Sequence, residues 1–127
     1  MKTENIAGGT LETWTAQEVA DAFARDEIVL IDVRTPQEYS FERIDGALLA
    51  PMQAFQPMHM PGQSDKRIVF HCGSGVRSKK VAEKYLQAGN DRVAHMEGGF
   101  GAWKDAGLEY TGTDMTTGAP KQMKKSG

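Results

Sequence analysis

Arg67-Ile68-Val69-Phe70-His71 constrains this chain more than any other stretch. Its β-branched and aromatic centre makes it the best strand in the sequence. It runs straight into a turn, Cys72-Gly73-Ser74-Gly75-Val76-Arg77-Ser78. A helical pattern follows from Ser78, with Val81, Ala82, Tyr85 and Leu86 on one face and Gly89-Asn90 as its stop. A strand, a tight glycine turn and a helix in succession make up a unit of a parallel α/β domain. In such sheets the active site lies past the carboxyl ends of the strands, which is where Cys72 falls.

The rest of the chain repeats the alternation. Thr15 and Glu18 are spaced as a capping box, and a helix of about ten residues with Val19, Ala20 and Phe23 on its apolar face should follow. Ile28-Val29-Leu30-Ile31 is a second buried strand, ending at Asp32. Thr35 caps a short helix that begins at Pro36 and runs through Glu38 and Tyr39. Ala47-Leu48-Leu49-Ala50 is a short apolar run closed by Pro51. Residues 52–63 read as a long connection with a helical turn near Phe55. Val93-Ala94-His95-Met96 is a further strand, and Gly98-Gly99 opens a last helix through Trp103 that Gly107 closes. The expected architecture is therefore α/β, three layers, with a mostly parallel central sheet and helices on both faces. Residues 1–12 are polar and carry Gly8-Gly9, and residues 112–127 lack periodicity. They read as a flexible lead-in and a flexible tail around a domain spanning 13–111.

The turn after the strand has the parts of an anion cradle. Gly73 and Gly75 allow the backbone N–H groups to converge, and the following helix adds the positive end of its dipole. Arg77 places a permanent positive charge nearby. Such a cradle lowers the pKa of Cys72 and favours its thiolate, which is the nucleophilic form. Cys72 is the single cysteine, so no disulfide forms within the chain and the paired cysteines of structural zinc sites are missing. A lone cysteine is otherwise a small packed hydrophobe; here the glycines, the arginine and the helix start converge on it. The local pattern does not say which anion is held. The chain carries 15 basic and 17 acidic residues, a net charge of −2, and so shows no basic excess for nucleic acid. It has no apolar segment long enough for a membrane span and no apolar stretch at its polar start, so a cytoplasmic location is expected.

Three separated motifs carry a family resemblance. Ile31-Asp32-Val33-Arg34-Thr35-Pro36-Gln37-Glu38-Tyr39, continued by Ile44-Asp45-Gly46-Ala47, is the first. Cys72 to Ser78 is the second, and Glu97-Gly98-Gly99-Phe100-Gly101-Ala102-Trp103 with Gly107 is the third. In this order and at this spacing they resemble the single-domain rhodanese (sulfurtransferase) family, from about Thr15 to Tyr110. The resemblance implies that Cys72 takes a sulfane sulfur from a small anionic donor such as thiosulfate or 3-mercaptopyruvate, becomes a persulfide, and hands the sulfur to cyanide or a thiol. A protein acceptor would serve equally. It implies that Gly73, Ser74, Gly75, Val76, Arg77 and Ser78 bind the substrate, with Arg77 stabilising the loop or steering the donor, and that no cofactor or metal is needed. Cys72-Gly73-Ser74-Gly75-Val76 is similar to the loop of mercaptopyruvate sulfurtransferases, whereas Arg77 is similar to thiosulfate-using members. Glu42-Arg43 stands where many members have Gly-His.

Two other readings compete. His71-Cys72 before a glycine loop and an arginine resembles the cysteine-dependent phosphatases, but the four residues between Cys72 and Arg77 make a loop one residue shorter than theirs. A tighter ring suits one sulfur atom better than a tetrahedral phosphate. A non-catalytic binding module of the same fold is the other alternative, and the intact cysteine loop argues against it. Arg34 and Glu38, four apart on the chain, are expected to form a structural ion pair. His71 reads as a packed, hydrogen-bonded histidine, and His59 and His95 as structural. Trp14 and Trp103 read as core or groove aromatics. Met52, Phe55, Met58 and Met60 form either an apolar wall or a loosely packed loop. Lys79 and Lys80 either attract anionic donors or lie on a solvated helix face.

Overall fold

Period-two alternation in the strands divides the hydrophobic core into two. On β5 (Arg67–His71), Ile68 and Phe70 face one layer and Val69 the other. On β3 (Ile28–Asp32), Ile28 and Leu30 face one layer and Ile31 the other. Strands with both faces covered need apolar residues at successive positions, which is why they read as unbroken runs. The computed structural model describes residues 1–124. The remaining elements are β1 (Lys2–Ile6), β2 (Gly9–Trp14), α1 (Ala16–Ala24), α2 (Pro36–Phe41), β4 (Leu48–Leu49), α3 (Val76–Gln87), β6 (Arg92–Met96), α4 (Gly99–Asp105), β7 (Tyr110–Thr113) and β8 (Pro120–Met123).

The central sheet has the order β1-β2-β6-β5-β3-β4. β2, β6, β5, β3 and β4 run parallel, and only β1 is antiparallel to its neighbour. One layer is built by Val19 of α1 and Phe100 and Trp103 of α4 against Leu30, Val69 and Ala94. The other is built by Val81, Ala82, Tyr85 and Leu86 of α3 against Leu11, Ile68, Phe70 and Val93. This is the expected three-layer α/β fold with helices on both faces. No helix among the described residues is long and apolar enough to cross a membrane.

Both ends of the chain differ from the sequence reading. Residues 1–12 are not a loose lead-in: they supply β1 and most of β2, a hairpin turned by Ala7 and Gly8, and Leu11 of β2 is fully buried. The short strands and the glycine pair mask a period-two pattern in which Gly9 and Leu11 are the buried positions of β2. Residues 112–124 are likewise not a free tail. Thr111 bonds through N–H and C=O to Arg43 (2.8 Å each), and β7 pairs with β8 in a second, two-stranded sheet. Thr111 also hydrogen-bonds Asp45 through its hydroxyl. The last three positions of the predicted tail, 125–127, lie outside the described residues. At the departure Glu42-Arg43, Arg43 holds the hairpin through its backbone while its side chain lies over Tyr39, and Glu42 accepts from Lys104 (2.8 Å) and, through its carbonyl, from Arg34 (2.7 Å).

The 52–63 connection contains two single 3₁₀ turns, Met52–Ala54 and Pro57–His59, rather than one. Phe55 is buried edge-on to Phe70, and Met52 and Met60 pack beside it, but Met58 is exposed. The segment is thus part wall and part surface loop.

Candidate active site

β5 delivers Cys72 to the carboxyl end of the sheet, next to the end of β3. In parallel α/β sheets this is the end at which active sites form. The turn that follows is tighter than the sequence pattern suggests. α3 begins at Val76, two residues before the expected Ser78, because Gly75 adopts φ +100° and reverses the chain at once. A side chain at Gly75 would also press on Gly98 N at 3.2 Å. Arg77 therefore belongs to the first turn of the helix.

The loop closes around its own sulfur. Gly75 N–H donates to Cys72 Sγ at 3.1 Å and Ser78 N–H at 3.3 Å. Cys72 and Ser78 are fully buried, Gly73 and Gly75 half-buried, Ser74 and Val76 exposed. Burial pushes the Cys72 thiol up, but hydrogen bonds from the Ser78 N–H and hydroxyl, and from Gly75 and Ser74 N–H, outweigh it, so the net shift is downward. The N–H groups point inward because the carbonyls are held outward by α4: Phe100 N–H takes Cys72 O at 2.7 Å and Gly101 N–H takes Gly73 O at 3.2 Å. Gly99 makes this approach possible. It has φ +58°, and a Cβ there would lie 2.3 Å from Cys72 O. The Gly98-Gly99 motif is thus a support for the Cys72 turn.

Arg77 is held by an ion pair outside the loop. Its Nη1 and Nη2 grip both oxygens of Glu38, at 2.7 and 3.0 Å. Arg77 in turn holds the Glu38 carboxyl down to about 2, while Glu38 raises Arg77. Glu38 also closes the capping box of α2 with Thr35. The expected pair of Arg34 with Glu38 is therefore a misassignment. Arg34 is buried against the fully buried Asp32, with Nη2–Oδ2 at 2.8 Å and Nε–Oδ1 at 3.0 Å, and its guanidinium stacks on Phe100. Spacing on one helix favoured Glu38, but Arg34 precedes the helix and turns back to the strand end.

The histidines also differ from one another. His71 is buried, with Nδ1 3.4 Å from Cys72 O; its Nε2 has no hydrogen-bond partner among the described residues and lies 3.6 Å from Asp32 Oδ2. Desolvation lowers its pKa to about 4, so it is neutral at ordinary pH. His59 is exposed. His95 sits behind the loop, between Ser78 and Thr13, and its involvement carried no sequence signal. Lys79 pairs with Glu4 at 3.3 Å and Lys80 is exposed, so both lie on the solvated face of α3. Trp14 packs at the rim of the core beneath Arg67, and Trp103 is buried. Candidate residues 72–78 are thus brought together, and Glu38 joins them through Arg77.

The rhodanese-like domain family matches residues 15–106. Among curated relatives, an uncharacterized Synechocystis protein is 36% identical over 96 residues, 76% of this chain and 52% of that protein, so this chain spans about half of its length. A sulfurtransferase of Allochromatium vinosum is 33% identical over 93 residues, 73% of this chain and 84% of that one. The thiosulfate sulfurtransferase GlpE of Actinobacillus succinogenes is 29% identical over 94 residues, 74% and 85% of the two chains. Two solved structures share the fold. A rhodanese-like domain protein of Staphylococcus aureus superposes with TM-score 0.65 at 32% identity, covering 77% of this chain and 96% of that chain. A Rhodopseudomonas palustris protein of unknown function, described as a possible tyrosine phosphatase, superposes with TM-score 0.64 at 31% identity, covering 76% and 81%.

Proposed function

We propose, from the premise that this chain belongs to the rhodanese-like domain family, that it is a sulfurtransferase working through a persulfide on Cys72. The observation that carries this reading is the pair of backbone N–H groups, from Gly75 and Ser78, aimed at Cys72 Sγ, with Arg77 paired to Glu38. In the first half-reaction the thiolate attacks the outer sulfur of an anionic donor such as thiosulfate. A bond forms between Sγ and that sulfur, the donor's sulfur–sulfur bond breaks, and sulfite leaves with the electron pair. In the second, a thiol or cyanide attacks the outer sulfur and Cys72 departs as the thiolate. Covalent catalysis of this kind divides one transfer into two easier ones. Gly75 and Ser78 N–H stabilise the thiolate before and after, and the rest of the 73–78 backbone stabilises the charge of the persulfide. Arg77, held by Glu38, stabilises the loop and keeps a positive charge beside it for an anionic donor. No second cysteine is present to resolve the persulfide, so the acceptor comes from outside the chain.

A phosphatase needs its loop arginine for phosphate oxygens, and here that arginine is engaged by Glu38. One experiment separates the two readings. Mass spectrometry after exposure to thiosulfate or 3-mercaptopyruvate should show a gain of one sulfur, reversed by cyanide and absent in Cys72→Ser. Absence of any gain, with Cys72-dependent hydrolysis of an aryl phosphate, would replace this reading with the phosphatase. An unloaded Cys72 with neither activity would leave a binding module.

A further inference from the structure

A chain of hydrogen bonds connects the N-terminal hairpin to the sulfur. Thr13 Oγ1 lies 3.2 Å from His95 Nε2, and His95 Nδ1 lies 3.1 Å from Ser78 Oγ. Ser78 then reaches Cys72 through its N–H, and its hydroxyl also lies within reach of the sulfur. Ser78 is fully buried and His95 almost so, at 5% exposure. Thr13 comes from β2, before the 15–106 span matched by the family.

Two directions are open to these bonds, and one of them leaves the Ser78 hydrogen free for the sulfur. In that direction Ser78, which has one hydroxyl hydrogen, donates it to the Gly75 carbonyl at 3.2 Å. The Ser78 oxygen then accepts from His95, so the ring carries its hydrogen on Nδ1. That leaves Nε2 as the acceptor for the Thr13 hydroxyl. All four polar groups are satisfied in one sense, from Thr13 to His95 to Ser78 and onward. In the opposite sense Ser78 would spend its hydrogen on His95; the Gly75 carbonyl would keep the Lys79 N–H at 3.3 Å, but the sulfur would have no hydroxyl donor. Burial holds His95 below its ordinary pKa, in the neutral form this arrangement requires. The charges facing the ring are Lys79 on α3, Glu4 and Lys2 on β1, and Glu97 after β6; they occur as the pairs Lys79–Glu4 and Lys2–Glu97, which offset one another.

Resting on the reading of Cys72 as the nucleophile, we propose that His95, oriented by Thr13, is a positioning residue that keeps the Ser78 hydroxyl a hydrogen-bond donor. When Cys72 is uncharged the donor serves the Gly75 carbonyl. When the sulfur becomes a thiolate or a persulfide anion, the same hydrogen turns to it. His95 touches no reacting atom and acts only through Ser78.

The test titrates Cys72 by the ultraviolet absorbance of its thiolate, with Cys72→Ser as the blank; it is the sole cysteine, so the signal has one source. His95→Asn places an amide N–H where Nδ1–H stood and should keep the native pKa. His95→Gln offers its amide only near the Nε2 position, and Thr13→Val removes the donor that sets the tautomer. Both should lower the thiolate fraction below the pKa by about two- to tenfold, the worth of one hydrogen bond. A native pKa in both His95→Gln and Thr13→Val, or equal shifts in His95→Asn and His95→Gln, would overturn the proposal. Should His95→Gln fail to fold, Thr13→Val, at the half-buried end, decides alone. No sulfur donor enters the measurement, so the outcome is independent of whether the chain transfers sulfur.

Discussion

Arg77 and Glu38, 39 positions apart, meet in a two-pronged ion pair of 2.7 and 3.0 Å that ties the first turn of α3 to the first turn of α2. The pair joins the turn carrying the nucleophile to the motif that follows β3. It makes loop shape depend on a carboxylate outside the loop.

Its pH dependence has a definite sign. Glu38 is held at about 2 in the folded chain, below its unfolded value, so its contribution is complete above the unfolded pKa and is lost as pH falls toward 2. The pair is about one-third exposed, so screening reduces its worth to about 1 kcal/mol. Glu38→Gln should therefore lower stability at neutral pH by that amount and converge on the parent near pH 2, as read by urea unfolding across pH. Arg77→Lys, which loses the fork, should slow sulfur loading of Cys72 by about tenfold if one well-placed hydrogen bond to a charge is lost.

His71 acts in a different window. Its folded pKa of about 4 lies below the unfolded value, so the unfolded chain binds the extra proton and stability falls as pH drops from about 6.5 to 4. The loss should approach about 3 kcal/mol. His71→Asn should flatten that part of the stability–pH curve, and an unchanged slope would show that His71 is not the group responsible.

Gly99→Ala places a methyl group against the Cys72 carbonyl and forces a side chain to φ +58°. We expect a cost of about 2–4 kcal/mol in chemical denaturation and loss of Cys72 persulfide formation. Gly107→Ala, also at positive φ but with open space around it, should cost only about 1 kcal/mol and leave sulfur loading intact.

Asp32→Ala leaves the Arg34 guanidinium buried without its carboxylate. The expected loss is about 3–5 kcal/mol, measured by calorimetry or denaturant, because the charge can neither leave nor be solvated. Asp32→Asn should be milder, since it keeps acceptors for Arg34.

Leu11→Ala tests the N-terminal hairpin. Leu11 is fully buried within the α3 layer, and its truncation should cost about 2–4 kcal/mol. A residue in a loose lead-in would cost nothing.

The strands and helices of the core, the location of Cys72 and the anion-cradle character of its turn were legible in the chain. Unbroken apolar runs such as 28–31 and 68–70 have few folds open to them, and capping signals such as Thr15 with Glu18 act within a single turn. These are local effects, and local chemistry is written in neighbouring residues. What the tertiary structure alone decided is which partner each charge and each edge found. Arg34 chose Asp32 over Glu38, Arg77 chose Glu38, and Arg43 anchored a hairpin that looked like a tail. Helical spacing can state which pairs are within reach, but the choice between them is made by desolvation and by elements folded in from elsewhere. Cys72 and its turn could thus be located from the sequence, whereas the pairing of Arg77 with Glu38, and of His95 with Ser78, required the packing of β2, α2 and α4 around them.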